Sequence, residues 1–243
     1  MRITRLYHPE KLSCGKTTQL DANSSSHLVR VLRTRIDTEV VLFNGDGFDY
    51  LCKTIDNNPK KTLLSIESKT QANNESSLKT TLIQGLSRHD RMDHTIQKSV
   101  ELGVNRIIPV LCQRSNSRLA KDKQVKKLAH WNKVVISACE QSGRSVLPEI
   151  TEVVSIENID QCLDEGVFKI LLNPETGISL NDITSSHQSV EIFIGPESGL
   201  TDEEISLLEA QNFTSIRFGP RILRTETTGP AVLSAVQLLW GDF

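Results

Sequence analysis

Two glycine-proline turns near the C-terminus carry the clearest chemical signal in this sequence. Gly195-Pro196 and Gly219-Pro220 each follow a short apolar run and precede a helix-like stretch. Glycine has no Cβ, so its backbone can approach a ligand closely, and proline then fixes φ. Each turn therefore predicts a rigid hydrogen-bonding edge, and two such edges side by side predict a cradle for a small molecule.

Other motifs that could do chemistry fail on their spacing. In residues 195–199 the glycines stand three before and one after Ser198, so the nucleophile turn of a serine hydrolase is not specified. The sequence has neither G-x-G-x-x-G after a strand nor a P-loop, which disfavours dinucleotide and nucleoside-triphosphate sites. His89 and His94 are five residues apart and do not share a helix face, so we expect no metal site.

Length and composition bound the class of protein. A chain of 243 residues exceeds the usual single domain, which favours two domains. No apolar run approaches the roughly 20 residues that span a bilayer, and the first residues lack the apolar core of a signal peptide, so we expect a cytoplasmic protein. Five scattered cysteines without a C-x-x-C pair predict reduced thiols rather than disulfides.

Charge is distributed unevenly, although the net charge is only −2. Basic residues outnumber acidic ones by 7 to 2 in residues 1–36 and by 13 to 5 in residues 79–146. In residues 147–212 acidic residues outnumber basic ones by 14 to 1. The basic regions would suit phosphates, but solvated helix faces show the same pattern, so charge alone leaves both interpretations open.

The hydrophobic pattern changes across a polar segment, residues 71–78, which reads as a linker. Before it, residues 1–70 predict a small β-rich barrel. Its strand-like runs cover residues 3–7, 40–44, 48–55 and 62–68, with a basic helix near residues 27–35. Asn44-Gly45-Asp46-Gly47 predicts a tight hairpin, because Asn and Gly tolerate positive φ.

After the linker, strands and helices alternate through residues 79–243, which predicts an α/β domain with a mainly parallel sheet and ligands at the carboxyl ends of its strands. The expected strands are residues 80–86, 106–111, 168–172, 190–194 and 215–218. The expected helices are residues 90–102, 125–141, 202–211 and 227–239. Thr201 and Glu204 form a capping box at the start of the third helix.

Further short motifs occur along nearly the whole chain, and they are considered together with the two glycine-proline turns. They are Arg91-Met92-Asp93, Glu101-Leu102-Gly103-Val104, Glu140-Gln141-Ser142-Gly143-Arg144, Gln237-Leu238-Leu239-Trp240, and His27 ahead of Val31-Leu32-Arg33. Together they resemble the SPOUT RNA methyltransferases, most closely the family that methylates N3 of a uridine in small-subunit (16S) ribosomal RNA. The resemblance implies a C-terminal α/β trefoil-knot domain, a smaller N-terminal PUA-like β-barrel, S-adenosyl-L-methionine as cofactor, and a homodimer. It implies small-subunit ribosomal RNA or the assembled 30S subunit as partner, and neither membrane nor metal.

The resemblance also implies which residues hold the cofactor. Three loops would wrap it: Leu172, Asn173 and Pro174 in the first; Ile194, Gly195, Pro196, Glu197 and Gly199 in the second; Phe218, Gly219, Ile222, Leu223, Arg224 and Thr225 in the third. For each apolar side chain taken alone, a place in the hydrophobic core is the alternative.

Methyl transfer to uridine N3 requires loss of the N3 proton or stabilisation of the resulting anion. Arg221 and Arg224 are placed to supply positive charge, with Arg224 preferred as the catalytic residue. Glu197 and Glu226 are the candidate proton acceptors or orienting groups. Glu226 precedes a helix, so stabilising the helix N-terminus is its alternative role.

Candidate RNA-backbone contacts are basic side chains in both domains: His27, Arg30, Arg33, Arg35, Arg88 and Arg91. For Arg91 the alternative is an ion pair with the neighbouring Asp90 or Asp93, and for His27 it is an ordinary polar or capping role.

Two other functions stay open. Ser198 and Leu200 stand where the family has a glycine and an aromatic residue, which allows a non-catalytic RNA-binding or assembly protein of the same fold. A related methyltransferase acting on transfer RNA is the other alternative, and His27 and Arg33 in the N-terminal barrel disfavour it.

Overall fold

The computed structural model describes residues 3–115, 121–176 and 178–243. The chain forms two compact units: residues up to Glu75 with Cys139–Leu147, and Ser76–Ala138 with Pro148–Phe243. The first division lies inside the predicted linker, residues 71–78. The second differs from the prediction, which had left Cys139–Leu147 in the C-terminal domain. In these ranges no helix has both the length and the apolar character needed to cross a membrane.

The N-terminal unit is built on a five-stranded sheet in the order β1-β3-β4-β5-β2. The strands are β1 Thr4–Tyr7, β2 Thr17–Gln19, β3 Glu39–Phe43, β4 Phe48–Asp56 and β5 Leu63–Gln71. β1 runs parallel to β3, and the other neighbours are antiparallel. Between β2 and β3 lie helix α1, Ala22–Ser26, and a π-helical turn, His27–Val31.

The predicted hairpin at residues 44–47 joins β3 to β4. The Asn44 side chain accepts a hydrogen bond from the Asp46 amide, and Gly45 and Gly47 take positive φ, as the turn requires. Alternate strand residues then face a single core, which includes Leu28, Val40, Leu42, Tyr50 and Leu64.

Side-chain contacts explain why Cys139–Leu147 belongs with the N-terminal unit. Glu140 accepts a hydrogen bond from the Tyr7 amide at 3.0 Å, and Ser145 accepts one from Arg5 at 2.8 Å. Arg144 binds Glu75 in a two-point ion pair, at 2.9 and 2.6 Å. These contacts join residues that are far apart in sequence, and no local pattern predicts them.

The described residues of the C-terminal unit form a seven-stranded parallel sheet with helices on both faces. Six strands follow the order β12-β10-β11-β6-β7-β8, and β9 also pairs with β7. The strands are β6 Lys79–Gly85, β7 Arg106–Leu111, β8 Glu149–Ile150, β9 Val154–Ser155, β10 Phe168–Leu172, β11 Ser189–Ile194 and β12 Phe213–Ile216. The helices are α2 His89–Glu101, α3 Lys121–Ser142, α4 Asp202–Ala210 and α5 Thr225–Trp240, with 3₁₀ turns at Ile156–Cys162 and Leu180–Asp182.

The five predicted strands and four predicted helices of this unit are confirmed within a few residues of their ends. β8 and β9 were missed because two residues are too short to show periodicity. Helix α5 begins at Thr225, two residues earlier than predicted, so Pro230 lies inside the helix rather than in its first turn.

Both faces of the parallel sheet are covered. On one face Ile83, Ile108 and Phe193 belong to a core with Leu208 of α4. On the other, α5 packs against α2, and Gly229 lets α5 approach Leu82 of β6 closely. Because both faces are buried, the strand sequences contain continuous apolar runs instead of alternating apolar and polar residues.

One acidic side chain interrupts the buried sheet. Glu191 in β11 is 1 % exposed, and its Oε1 accepts a hydrogen bond from the Asp164 amide at 3.0 Å. Its Oε2 has no hydrogen-bond partner among the described residues. Burial raises the pKa of Glu191 above its ordinary value, so the folded protein holds this proton to a higher pH than the unfolded chain.

Glu191→Gln should therefore change how stability depends on pH. Between the ordinary and the raised pKa the native state binds more protons than the unfolded state, so wild-type stability falls as pH rises through that window. We expect the variant to exceed the wild type in stability at neutral pH and to lose that advantage toward the ordinary glutamate pKa. Urea unfolding at several pH values checks this, and a difference that does not change with pH would contradict it.

Candidate functional site

Three loops at one edge of the parallel sheet surround a cavity of about 770 Å³. The first loop, residues 172–175, begins at the last residue of β10. The second loop, residues 195–201, follows β11, and the third loop, residues 217–224, follows β12. These strands are neighbours in the order β12-β10-β11, and all run in the same direction. Their carboxyl ends therefore meet at one edge, which is where open parallel sheets bind ligands.

All fourteen predicted cofactor-binding residues line this one cavity: Leu172, Asn173, Pro174, Ile194, Gly195, Pro196, Glu197, Gly199, Phe218, Gly219, Ile222, Leu223, Arg224 and Thr225. Ile222 is 87 % exposed, so the core alternative is wrong for that residue. Leu172 and Leu223 are half-buried and also face the cavity.

The second loop is a tight turn pressed against the sheet. The Gly199 amide donates to the Pro196 carbonyl at 2.9 Å, and Gly199 takes a φ of +72°, which favours glycine. Behind the loop, a Cβ on Gly85 would lie 2.5 Å from the Pro196 nitrogen. Gly85, which the sequence did not single out, thus allows the loop to sit directly on the end of β6.

Helix α4 anchors the same loop. Thr201 and Glu204 form the predicted capping box, which is confirmed. The buried Glu204 also accepts a hydrogen bond from the Gln113 amide at 2.8 Å, which links the start of α4 to the chain that follows β7. Arg114 donates to the Leu200 carbonyl at 3.0 Å and lines the cavity.

A short polar chain joins the third loop to the centre of the sheet. Buried Gln84, near the end of β6, donates to Thr225 Oγ1 at 2.9 Å. Thr225 Oγ1 in turn donates to the Gly195 carbonyl at 3.2 Å. These hydrogen bonds fix the first residue of α5 near the middle of the sheet, after the polypeptide has left the edge strand β12. The sequence signal for Gln84 was weak: a polar residue directly after the apolar pair Leu82-Ile83.

Charged side chains gather at the rim of the cavity. Arg91 Nη1 lies 2.8 Å from Glu197 Oε1, and Arg91 Nε lies 3.6 Å from Glu226 Oε1. Arg224, which is exposed, lies 4.0 Å from the same Glu226 oxygen. The structure thus brings the three catalytic candidates Arg224, Glu197 and Glu226 into one cluster with Arg91.

The ion pairs of Arg91 differ from the alternative proposed for it. Its carboxylate partners come from the second loop and from α5, not from Asp90 or Asp93. Asp93 instead lies 2.7 Å from His130. Arg88 lies 3.9 Å from Glu197 and is 75 % exposed. In the described ranges no group of three or more His, Cys, Asp or Glu side chains could hold a metal ion.

The other four RNA-binding candidates lie in the N-terminal unit, within residues 27–35. His27, Arg30, Arg33 and Arg35 are all exposed. Within the part of the chain that the structure describes, none of these arginines forms an ion pair. Their segment also exposes apolar side chains, of which Val31 is 65 % exposed.

Comparison with known families identifies the chain. A family model for an RNA methyltransferase domain matches residues 74–237, more than half of the sequence. The chain belongs to the RNA methyltransferase family. A second family model, for the PUA domain of RNA methyltransferases, matches residues 20–67 of this methyltransferase.

Relatives and solved structures match the methyltransferase over 96–100 % of its length. It is 30 % identical over 242 residues to ribosomal RNA small subunit methyltransferase E of Buchnera aphidicola, covering 100 % of this chain and 96 % of the relative. The protein of that name from Bacillus subtilis is 31 % identical, with 96 % of each chain covered.

Two solved structures with S-adenosylmethionine bound share the fold, and each match covers 100 % of both chains. One is a Legionella pneumophila methyltransferase, 34 % identical with a TM-score of 0.95. The other is ribosomal RNA small subunit methyltransferase E from Neisseria gonorrhoeae, 36 % identical with a TM-score of 0.92. The predicted family and fold class are confirmed: a SPOUT α/β-knot methyltransferase domain with a smaller PUA-like domain.

Proposed function

We propose that this protein transfers the methyl group of S-adenosyl-L-methionine to N3 of a uridine in 16S ribosomal RNA, and that it does so in the cytoplasm as a homodimer. The observation that carries the proposal is the single cavity lined by all fourteen residues expected to hold the cofactor. Support also comes from relatives that match the whole chain and are named as small-subunit ribosomal RNA methyltransferases.

The residues around the cavity fit S-adenosylmethionine. Its volume of about 770 Å³ lies in the usual range for small-molecule sites, roughly 300–1,000 Å³. Leu172, Ile194 and Leu223 offer apolar surface to an adenine ring, and the three loops offer backbone amides and carbonyls to its polar groups. Bound there, the cofactor supplies an electrophilic methyl group on a sulfonium centre.

The rim of the cavity supplies the charges that the reaction needs. Arg224 carries a guanidinium that is 76 % exposed, and its Nη1 lies 4.0 Å from Glu226 Oε1 at the start of α5. An exposed cation at this position can stabilise negative charge on uracil oxygens as N3 gives its proton to water or to one of the candidate acceptors, Glu197 or Glu226. The methyl group then passes from sulfur to N3, and S-adenosylhomocysteine leaves. Because uridine pairs through N3, the target base has to be unpaired when it enters the site.

The proposed partners follow from exposed surfaces of each unit. Arg30, Arg33 and Arg35 are exposed and form no ion pair with any residue that the structure describes, so their guanidinium groups suit phosphates of the ribosomal RNA or the 30S subunit. At the end of α5, Leu238 is 69 % exposed and Leu239 is 46 % exposed, which leaves apolar surface for pairing with a second copy.

The reaction can be tested on small ribosomal subunits from cells that lack this protein. Incubation with labelled S-adenosylmethionine and the purified protein should label 16S ribosomal RNA, and nucleoside mass spectrometry should find 3-methyluridine. Absence of that nucleoside, with competent unmodified subunits, would refute the proposal. Labelling of transfer RNA would instead support the related transfer-RNA enzyme. Failure to bind the cofactor in calorimetry would support a non-catalytic RNA-binding or assembly protein.

Arg224→Ala should slow methyl transfer by about 10²–10³-fold, the usual loss when one preorganised charge or donor is removed. The fold should persist, because the side chain is 76 % exposed. Arg221→Ala is the matched control, since it removes an exposed cation from the same loop, and we expect a much smaller loss. Single-turnover kinetics with saturating cofactor measure both variants. Equal rates for Arg224→Ala and wild type would remove Arg224 from the catalytic assignment.

A further inference from the structure

Arg91 joins three elements of the cavity wall through one guanidinium group. It lies in the first turn of α2, directly after the end of β6. Nη1 binds Glu197 of the second loop at 2.8 Å, and Nε lies 3.6 Å from Glu226 in the first turn of α5. The side chain is 36 % exposed, while the two carboxylates are only 14 % and 18 % exposed. Arg91 therefore links the start of α2 to the second loop and to the start of α5.

Glu197 is held from a second direction as well. Its Oε1 also accepts a hydrogen bond from the Arg88 amide at 3.3 Å, at the N-terminus of α2. The Arg88 side chain caps nothing, so the carboxylate from the second loop satisfies a backbone donor at the helix start. The positive end of the helix dipole favours an anion there. Glu197 thus fixes the second loop against α2, with Arg91 closing the contact.

Glu226 depends on nearby cations in a different way. Its Oε2 is buried and has no hydrogen-bond partner among the residues that the structure describes. Its Oε1 lies 3.6 Å from Arg91 and 4.0 Å from Arg224. A half-satisfied buried carboxylate is costly unless a cation stays beside it. Of these two cations Arg91 is nearer and much less exposed, so it is the one that can hold Glu226 in place.

We propose that Arg91 is a positioning residue that holds the second loop and the first turn of α5 in the arrangement that binds S-adenosylmethionine. The inference rests on the proposed function, since it concerns the same cavity. It gives Arg91 a role other than the RNA-backbone contact predicted from sequence, because two carboxylates already engage its guanidinium group. The neighbouring Arg88, which is 75 % exposed, keeps the predicted role at the RNA surface.

Three variants test the inference: Arg91→Ala, Arg91→Lys and, as matched control, Arg88→Ala. Arg91→Ala should weaken S-adenosylmethionine binding in calorimetry by at least about tenfold, because it releases two walls of the cavity. Arg91→Lys should also weaken S-adenosylmethionine binding, because an ammonium is a point charge and cannot contact both carboxylates. Arg88→Ala should change cofactor affinity by no more than about twofold, because the Arg88 side chain is 75 % exposed and lies 3.9 Å from Glu197.

RNA affinity is measured separately, without cofactor and over a range of salt concentrations. For Arg91→Ala we expect it to stay within about twofold of wild type, with an unchanged salt slope. Wild-type cofactor affinity in Arg91→Ala would overturn the inference, as would wild-type cofactor affinity in Arg91→Lys. A salt slope reduced by about one, with cofactor affinity intact, would show that Arg91 contacts a phosphate instead.

A folding failure of Arg91→Ala would not leave the question open. Glu226→Gln keeps the shape of its side chain and removes the charge that Arg91 holds. It should also weaken cofactor binding, and Arg91→Lys should then cost less than it costs in the wild type, because only its contact with Glu197 is left to weaken. Full additivity of the two substitutions would overturn the inference.

The proposed function and the role of Arg91 can fail separately. If the wild type does not bind the cofactor, the proposed function is wrong. If the wild type is active and the variants are unaffected, only the role of Arg91 is refuted.

Discussion

Gly85→Ala should remove most S-adenosylmethionine binding and methyl transfer. The added Cβ would lie 2.5 Å from the Pro196 nitrogen and 2.8 Å from the Gly195 carbonyl carbon, and both atoms belong to backbone. Gly85 ends a central strand, so the second loop is the part that has to move. We expect a stability loss of about 1–3 kcal/mol from overpacking, with a larger effect on cofactor affinity. Calorimetry of binding and urea unfolding measure the two effects.

Gly229→Ala is the matched control for this prediction. Its Cβ would lie 3.3 Å from the Thr95 methyl group, a side-chain contact that can shift by a few tenths of an ångström. The position is inside α5, where alanine favours the helix over glycine by about 1 kcal/mol and offsets part of the crowding. We expect near-normal cofactor binding. Equal losses in the two variants would show that close approach at Gly85 is not what positions the second loop.

The sequence was sufficient to predict the main elements and the cavity, because both depend on local signals. Glycine-proline turns after apolar runs indicated where backbone and ligand meet, and parallel strands bring such turns to one edge. The capping box at Thr201 followed from a three-residue spacing. The residue-level assignments came from the family resemblance, and the structure places all fourteen cofactor candidates on the cavity.

What the sequence could not supply are contacts between residues far apart in the chain. Gln84 reaches Thr225 across 141 positions, and Glu204 meets the Gln113 amide across 91. Arg91 has acidic neighbours in sequence, which suggested local ion pairs, yet it binds Glu197 from another loop. Such pairings depend on strand order and crossover paths, which hydrophobic periodicity does not specify.

The domain boundary shows the same limit. Residues 139–142 continue the helical pattern of α3, so nothing local separates them from the C-terminal unit. They group instead with the N-terminal unit because Glu140, Arg144 and Ser145 bind partners there. The N-terminal unit is thus completed by a segment from later in the chain, and its stability depends on the contacts of that segment.

Glu75→Ala should therefore destabilise the N-terminal unit strongly. Arg144 is 4 % exposed and binds both oxygens of Glu75, at 2.9 and 2.6 Å. The substitution removes the two short hydrogen bonds that this buried cation donates to Glu75, and removing one partner of a buried ion pair costs about 3–5 kcal/mol in comparable cases. That is a large part of the roughly 5–15 kcal/mol that keeps most proteins folded.

Glu10→Ala separates this effect from a general loss of surface charge. Glu10 is 81 % exposed and lies 3.9 Å from His8, so its removal should cost no more than about 1 kcal/mol. Urea unfolding followed by circular dichroism gives the stabilities, and hydrogen exchange of β1 and β3 shows whether the loss lies in this unit. Because Cys139–Leu147 completes the unit through Arg144, protection of its strands should fall in Glu75→Ala but not in Glu10→Ala. Equal protection in both variants would mean that the Arg144 ion pair does not hold the segment in place.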